Sequence, residues 1–179
     1  FLITGLPRSR TAWLSALFST DKVNCWHEPI NKLGSVAAVK SMLDNVSGYN
    51  SVGISDSSVG IEADFYMSYF YEYPIVIINR DEHEVAASLV RFLGITRLQA
   101  FTIVETIIDG LNRMRKVRGV MEIDYEDLND SGVVKSVWDY CTYGAQFDIF
   151  RCEQFQNLQI NQHATKIISL MDIDADIKR

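Results

Sequence analysis

The chain has 179 residues, 47% hydrophobic and 22% charged, an ordinary globular make-up with enough length for one substantial core. Its formal net charge of −6 argues against a general attraction to nucleic acid or to an anionic membrane, so a bound anion needs a local cluster of cations. Cys25, Cys141 and Cys152 stand at unrelated spacings that make neither a disulfide framework nor a C-x-x-C metal pattern; they read as buried or half-buried thiols of a reducing, cytoplasmic compartment.

The opening "FLITG" reads as a buried strand, and because it begins in mid-strand at Phe1, residues upstream of it are expected. Thr11 to Phe18 follows as a helix, and "KVNCW" as a short second strand. Leu33 to Val46 has helical periodicity through Val36, Val39, Met42 and Leu43. The Gly-, Ser- and Asn-rich "SGYNSVGISDSSVG" is expected to be an irregular surface loop. A helix over Ala63 to Tyr71 leads to "PIVIIN", a buried parallel strand.

In "RDEHEVAASLVRFLG" the punctuation of a helix is visible: Asp81 caps it, Glu84 completes a capping box, and Gly94 ends it. A longer helix keeps Val104, Ile107, Ile108, Leu111 and Met114 in register. The basic "RMRKVR" fits a solvated helix end, where positive charge complements the dipole; steering of an acidic acceptor is the alternative. "GVMEIDYEDL" reads as a further strand and Gln146 to Leu158 as a late helix. The longest apolar runs are far too short to span a bilayer, and no signal peptide is visible. Strands alternating with helices predict one three-layer α/β domain over 1–179 around a largely parallel sheet, with ligands beyond the carboxyl ends of the strands.

The loop after the first strand decides the chemistry. Aligned on Gly5, a Walker A loop would place its second glycine at Arg10, its lysine at Thr11 and its magnesium hydroxyl at Ala12. Strand-to-helix geometry still favours an anion there, and the cations sit in the loop itself as Arg8 and Arg10. "PRSRTAWL" resembles the phosphosulfate loop P-[KR]-S-G-T-[TS]-[WL]-L of the sulfotransferases, matching at Pro7, Arg8, Ser9, Thr11, Trp13 and Leu14. Arg80, directly after "PIVIIN", and Ser88 eight residues on resemble the same family's 3′-phosphate motif. "MEIDYEDL" resembles its [VL]-x-Y-E-D-L segment.

The resemblance implies a P-loop NTPase-like domain that uses 3′-phosphoadenosine 5′-phosphosulfate (PAPS) and no metal. It implies a sulfuryl transfer to the hydroxyl or amine of a small-molecule or protein-borne acceptor, leaving adenosine 3′,5′-bisphosphate. Arg8, Ser9, Arg10, Thr11 and Ala12 would then hold the 5′-phosphosulfate, and Arg80 with Ser88 the 3′-phosphate. Trp13 and Tyr125 would flank the adenine, worth roughly 1–3 kcal/mol per stack; for Trp13 a place in the core face of the first helix is equally open. Taken alone, Ser88 also fits a small residue at a helix interface.

Arg8 is implied as the cation on the departing oxygen, a kind of stabilisation typically worth a few kcal/mol. "CWHEP" offers Glu28, favoured as general base because some branches of the family carry a glutamate soon after the second strand, and His27 after it. A glutamate base needs burial or a like charge to raise its pKa, and Trp26 and Pro29 are placed to supply burial. The other reading has Glu28 capping a helix or pairing with Arg8 or Arg10. Arg10 stands where the family has a glycine, Ala12 lacks a hydroxyl, and the Arg-Lys-Gly segment of cytosolic members has no counterpart, Lys166 and the Lys178-Arg179 tail being poor substitutes. Two other classes therefore stay open: a non-catalytic nucleotide-binding or assembly domain of the same fold, and a degenerate P-loop kinase.

Overall fold

A computed structural model describes residues 1–116 and 119–157 of the chain. Arg118, Leu158, Lys166, Lys178 and Arg179 from the readings above lie outside the described residues. The elements run β1 (Leu2–Gly5), α1 (Thr11–Phe18), β2 (Val23–His27), α2 (Pro29–Leu33), α3 (Val36–Asn45), β3 (Ser51–Ser55), α4 (Ala63–Tyr69) and β4 (Ile75–Asn79). They continue with α5 (Glu82–Leu93), α6 (Arg97–Met114), β5 (Val120–Asp124), a 3₁₀ turn over Glu126–Asn129, α7 (Ser131–Thr142) and α8 (Ile149–Asn157). The five strands form one all-parallel sheet in the order β2-β3-β1-β4-β5.

Strand periodicity divides the core between the two faces. Phe1, Ile3, Val76 and Ile78 pack with Trp13, Phe18, Trp138 and Phe155 under α1, α7 and α8. Leu2, Ile75 and Ile77 point the other way, into a cluster with Tyr66, Val85, Leu89, Val104 and Leu111 under α3 to α6. The predicted three-layer α/β fold with its parallel sheet is the one observed. Among the described residues no helix is long and apolar enough to cross a membrane. The three cysteines are buried and unpaired, and burial pushes the Cys141 thiol up to about 12 and that of Cys152 to about 11.

Several boundaries differ from the expectation. The stretch read as an irregular loop contains β3, an inner strand paired on both sides, Cys25 to Gly53 and Ile3 to Ser55. Its glycine marks a close approach rather than a turn: a Cβ on Gly53 would lie 2.5 Å from both the ring and the carbonyl oxygen of Phe1. The helix expected from Leu33 is broken at Gly34 (φ 75°), after which Ser35 caps α3 through the Ala38 N–H. Asp81 caps α5 through the Glu84 N–H at 2.9 Å, but the Glu84 carboxylate stands 3.6 Å from Arg80, so the box is half made. Only the first half of "GVMEIDYEDL" is strand; the backbone turns at Tyr125 into the 3₁₀ segment. Helix α7 has no counterpart in the sequence reading.

Candidate functional site

The loop from Leu6 to Arg10 leaves the central strand β1 and enters α1, so the first N–H groups of that helix face the carboxyl edge of the sheet. Ser9 N–H closes a turn on Leu6 C=O at 3.2 Å. Arg8 and Arg10 both adopt the left-handed backbone, with φ of 68° and 61°, which costs a non-glycine residue on the order of 1–3 kcal/mol. Arg10 thus holds a positive φ that glycine adopts without strain. Its guanidinium donates to Asn129 Oδ1 at 2.9 Å and stands 4.8 Å from the Tyr125 ring centroid, contacts that offset part of the strain.

Arg80 reaches the same ring. It leaves β4, donates to Arg8 C=O and stands 4.1 Å from the Tyr125 centroid. The adjoining strands β1 and β4 therefore bring two guanidiniums and the loop backbone together over one phenol. Three buried polar atoms here, Ser9 Oγ, Arg10 Nε and Arg80 Nε, have no hydrogen-bond partner among the described residues. Buried polar groups are almost always satisfied, so these three atoms mark a place suited to a water or an anion. Its donor set (a hydroxyl, two guanidiniums and a helix N-terminus) suits a phosphate or sulfonate.

The other expected nucleotide residues are placed less simply. Trp13 is 1% exposed; its indole N–H donates to Phe155 C=O at 2.9 Å and its ring meets the Phe155 ring edge-on. It belongs to the core face of α1, and Tyr125 is taken up by Arg10 and Arg80, so the two rings do not form a clamp in this arrangement. Ser88 is half-buried two turns into α5 and receives nothing from Arg80, whose contacts go to Arg8, Glu84 and Tyr125. Exposed Arg8 lies 4.8 Å from the Phe92 ring centroid on α5. Half-buried Ala12 and buried Thr11 open α1.

A second polar group lies at the carboxyl ends of β2 and β3. His27 Nε2 is 3.4 Å from Thr11 Oγ1 and 3.8 Å from Glu28 Oε1. Glu28 accepts from Ser57 Oγ at 2.8 Å and from Asn31 Nδ2 at 3.1 Å. It caps no helix through its side chain, and among the described residues it pairs with neither Arg8 nor Arg10. Burial holds the His27 imidazole below its ordinary pKa despite the carboxylates of Glu28 and Asp56, which keeps the ring neutral at pH 7.

Sequence reasoning missed Asp56. It is fully buried just past β3; Oδ1 takes hydrogen bonds from the Ser58 N–H at 2.8 Å and the Ser58 hydroxyl at 2.6 Å, while Oδ2 has no partner among the described residues. Burial pushes its carboxyl above the usual range, with the Glu28 charge adding to the effect. Only the recognition of β3 as a strand would have pointed to it.

No protein-family model and no curated protein matches the chain.

The sheet order separates the two groups. Arg80 and Tyr125, at the ends of β4 and β5, lie to one side of the loop; His27, Glu28 and Asp56, at the ends of β2 and β3, lie to the other. The basic segment at the end of α6 is more engaged than a solvated helix end, as Arg115 donates to Glu122 Oε2 at 2.9 Å and to Asn79 Oδ1 at 2.7 Å.

Proposed function

We propose that the chain is a metal-independent sulfotransferase that moves a sulfuryl group from PAPS to a hydroxyl or amine of a small-molecule or protein-borne acceptor. The observation that carries this reading is the group of unpartnered buried donors, Ser9 Oγ, Arg10 Nε and Arg80 Nε, gathered where β1 passes into α1. A phosphosulfate lying across the loop would receive them along with the free N–H groups of α1. The acceptor approaches from the β2–β3 side, where Glu28 accepts its proton and the neutral His27 is the second candidate. The acceptor oxygen or nitrogen forms its bond to sulfur as the bond from sulfur to the bridging oxygen breaks. The electron pair stays on the 5′-phosphate of the departing adenosine 3′,5′-bisphosphate, where Arg8 and the loop N–H groups offset the developing charge.

One observation favours a second reading, a nucleotide-binding or assembly domain without catalysis: the face of Tyr125 is already filled by Arg10 and Arg80, a self-contained arrangement. Calorimetry tests both, with a degenerate kinase as a third outcome. Adenosine 3′,5′-bisphosphate is expected to bind at least tenfold tighter than ATP, without dependence on Mg²⁺. Equal affinities, or a metal requirement, would point to phosphotransfer instead. Tight bisphosphate binding with no turnover across a broad screen of phenols, sugars and amines would favour the non-catalytic domain.

A further inference from the structure

The guanidinium of Arg10 is within reach of two aromatic rings, 6.0 Å from the centroid of Trp13 and 4.8 Å from that of Tyr125. Among the described residues it pairs with no carboxylate, and its one hydrogen bond goes to the neutral amide of Asn129 at 2.9 Å. Asn129 is itself fixed, its Nδ2 donating to Glu126 C=O at 2.9 Å. Arg80, over the same Tyr125 ring, is anchored separately to Arg8 C=O and to Glu84. Arg10 is therefore a cation held by a neutral amide and aromatic faces, directly beside the first N–H groups of α1.

We infer that Arg10 is a plug in the nucleotide site: in the free protein its guanidinium covers the Trp13 and Tyr125 rings, and an anion on the loop draws it off so that the adenine takes its place. The inference rests on the proposed PAPS reading and deepens it by naming the residue that sets how much the base contributes to binding. Three observations lead here. Arg10 stands where the loop it resembles has glycine, so the plug is a property of this chain. A hydrogen bond from a guanidinium to a phosphate or sulfonate is roughly twice as strong as one between neutral groups, so an anion outbids Asn129. Nε of Arg10 is buried and without a partner among the described residues, so the side chain turns about it without breaking a bond there. A planar guanidinium stacks on a ring as a base does, and the exchange keeps the Tyr125 face covered in both states. Anion and base then bind cooperatively: adenosine without a phosphate meets a filled slot.

The test is calorimetry of adenosine, adenosine 3′,5′-bisphosphate and inorganic pyrophosphate with the wild type, Arg10→Gly and Asn129→Ala. Arg10→Gly loses a contact to the anion but opens the slot, so the ratio of bisphosphate to pyrophosphate affinity is expected to rise at least fivefold, and adenosine alone to tighten as much. Asn129→Ala releases the anchor and leaves the anion contact, so the bisphosphate should tighten at least twofold. In the wild type, nuclear Overhauser contacts between the Arg10 side chain and the Tyr125 ring should give way to contacts from adenine H2 or H8 when the bisphosphate is added, a readout that does not depend on a variant folding. Arg10 contacts to Tyr125 that persist in the bound protein, or an unchanged affinity ratio in a cooperatively melting Arg10→Gly, would overturn the plug while leaving the PAPS reading intact. Failure of the wild type to bind the bisphosphate at all would overturn both.

Discussion

Arg10 tests the strained loop directly, because replacing it by glycine and by alanine removes the same contacts and leaves different backbones. Both variants lose the hydrogen bond to Asn129, about 0.5–1.5 kcal/mol, and the cation–π contact with Tyr125, about 0.5–2 kcal/mol. Only alanine retains the penalty of a left-handed residue at φ 61°, about 1–3 kcal/mol. Glycine forfeits about 0.5–1 kcal/mol through its greater freedom in the unfolded chain. The balance leaves Arg10→Gly about 1 kcal/mol more stable than Arg10→Ala, with both below the wild type. In urea unfolding the gap appears as a shifted midpoint at constant slope, and in a melt as roughly 2–4 °C for a chain of this size. An alanine variant as stable as the glycine one would mean that residue 10 does not occupy the left-handed region, and the proposed loop geometry would fall with it.

Arg80→Ala removes a charge-assisted contact to the nucleotide and is expected to weaken bisphosphate binding about 10- to 150-fold, or 1.5–3 kcal/mol; an unchanged Kd with an intact melt would remove Arg80 from the site. Glu28→Gln keeps the partners Ser57 and Asn31 within reach but cannot take a proton, so turnover should fall about 10²–10⁴-fold with bisphosphate affinity within a few-fold. Loss of turnover in His27→Ala but not in Glu28→Gln would move the base to the histidine. Asp56 has a folded-state pKa above its unfolded value, so its stabilising contribution is complete below the ordinary aspartate value of 3.8 and is lost as pH rises from there through the raised one. Asp56→Asn should therefore flatten the fall in stability across that window; an identical pH slope in chemical denaturation would show that Asp56 is not the group responsible. Trp13→Ala opens a core cavity and is expected to destabilise by about 3–5 kcal/mol, read as an earlier urea midpoint, whereas a near-neutral result would mean the indole is not packed under α8.

What was legible in the sequence follows from how locally each signal is written. Strands β1 and β4 are apolar runs buried on both faces, and α5 carries its own cap and stop, so neither needs tertiary knowledge. Strand β3 was hidden because Ser51, Gly53 and Ser55 alternate with Val52 and Ile54, and such residues signal a loop unless the ring of Phe1 is known to press on Gly53. Helix α7 was in fact marked: Asp130 caps it through Gly132 N–H, and Val134, Val137, Trp138 and Cys141 fall on one face. At the site, the loop, Arg80 and the "HE" pair could be located from motif and strand order alone. That Tyr125 would be held by two arginines, that Trp13 would turn inward, and that Asp56 would be buried near His27 and Glu28 depend on packing between segments far apart in the chain.

The unpartnered donors around Ser9 also have a practical consequence for finding ligands. Each buried unsatisfied polar group costs on the order of 1–3 kcal/mol, so this corner of the fold stands to gain more than any other described part from a bound anion. Binding to the folded state alone adds about 2.7 kcal/mol at a ligand concentration a hundred times its Kd, or roughly 5–11 °C in melting temperature for a chain of this length. Heat resistance can therefore rank phosphates, sulfates and nucleotides before any acceptor is known, the protein's own unfolding serving as the indicator.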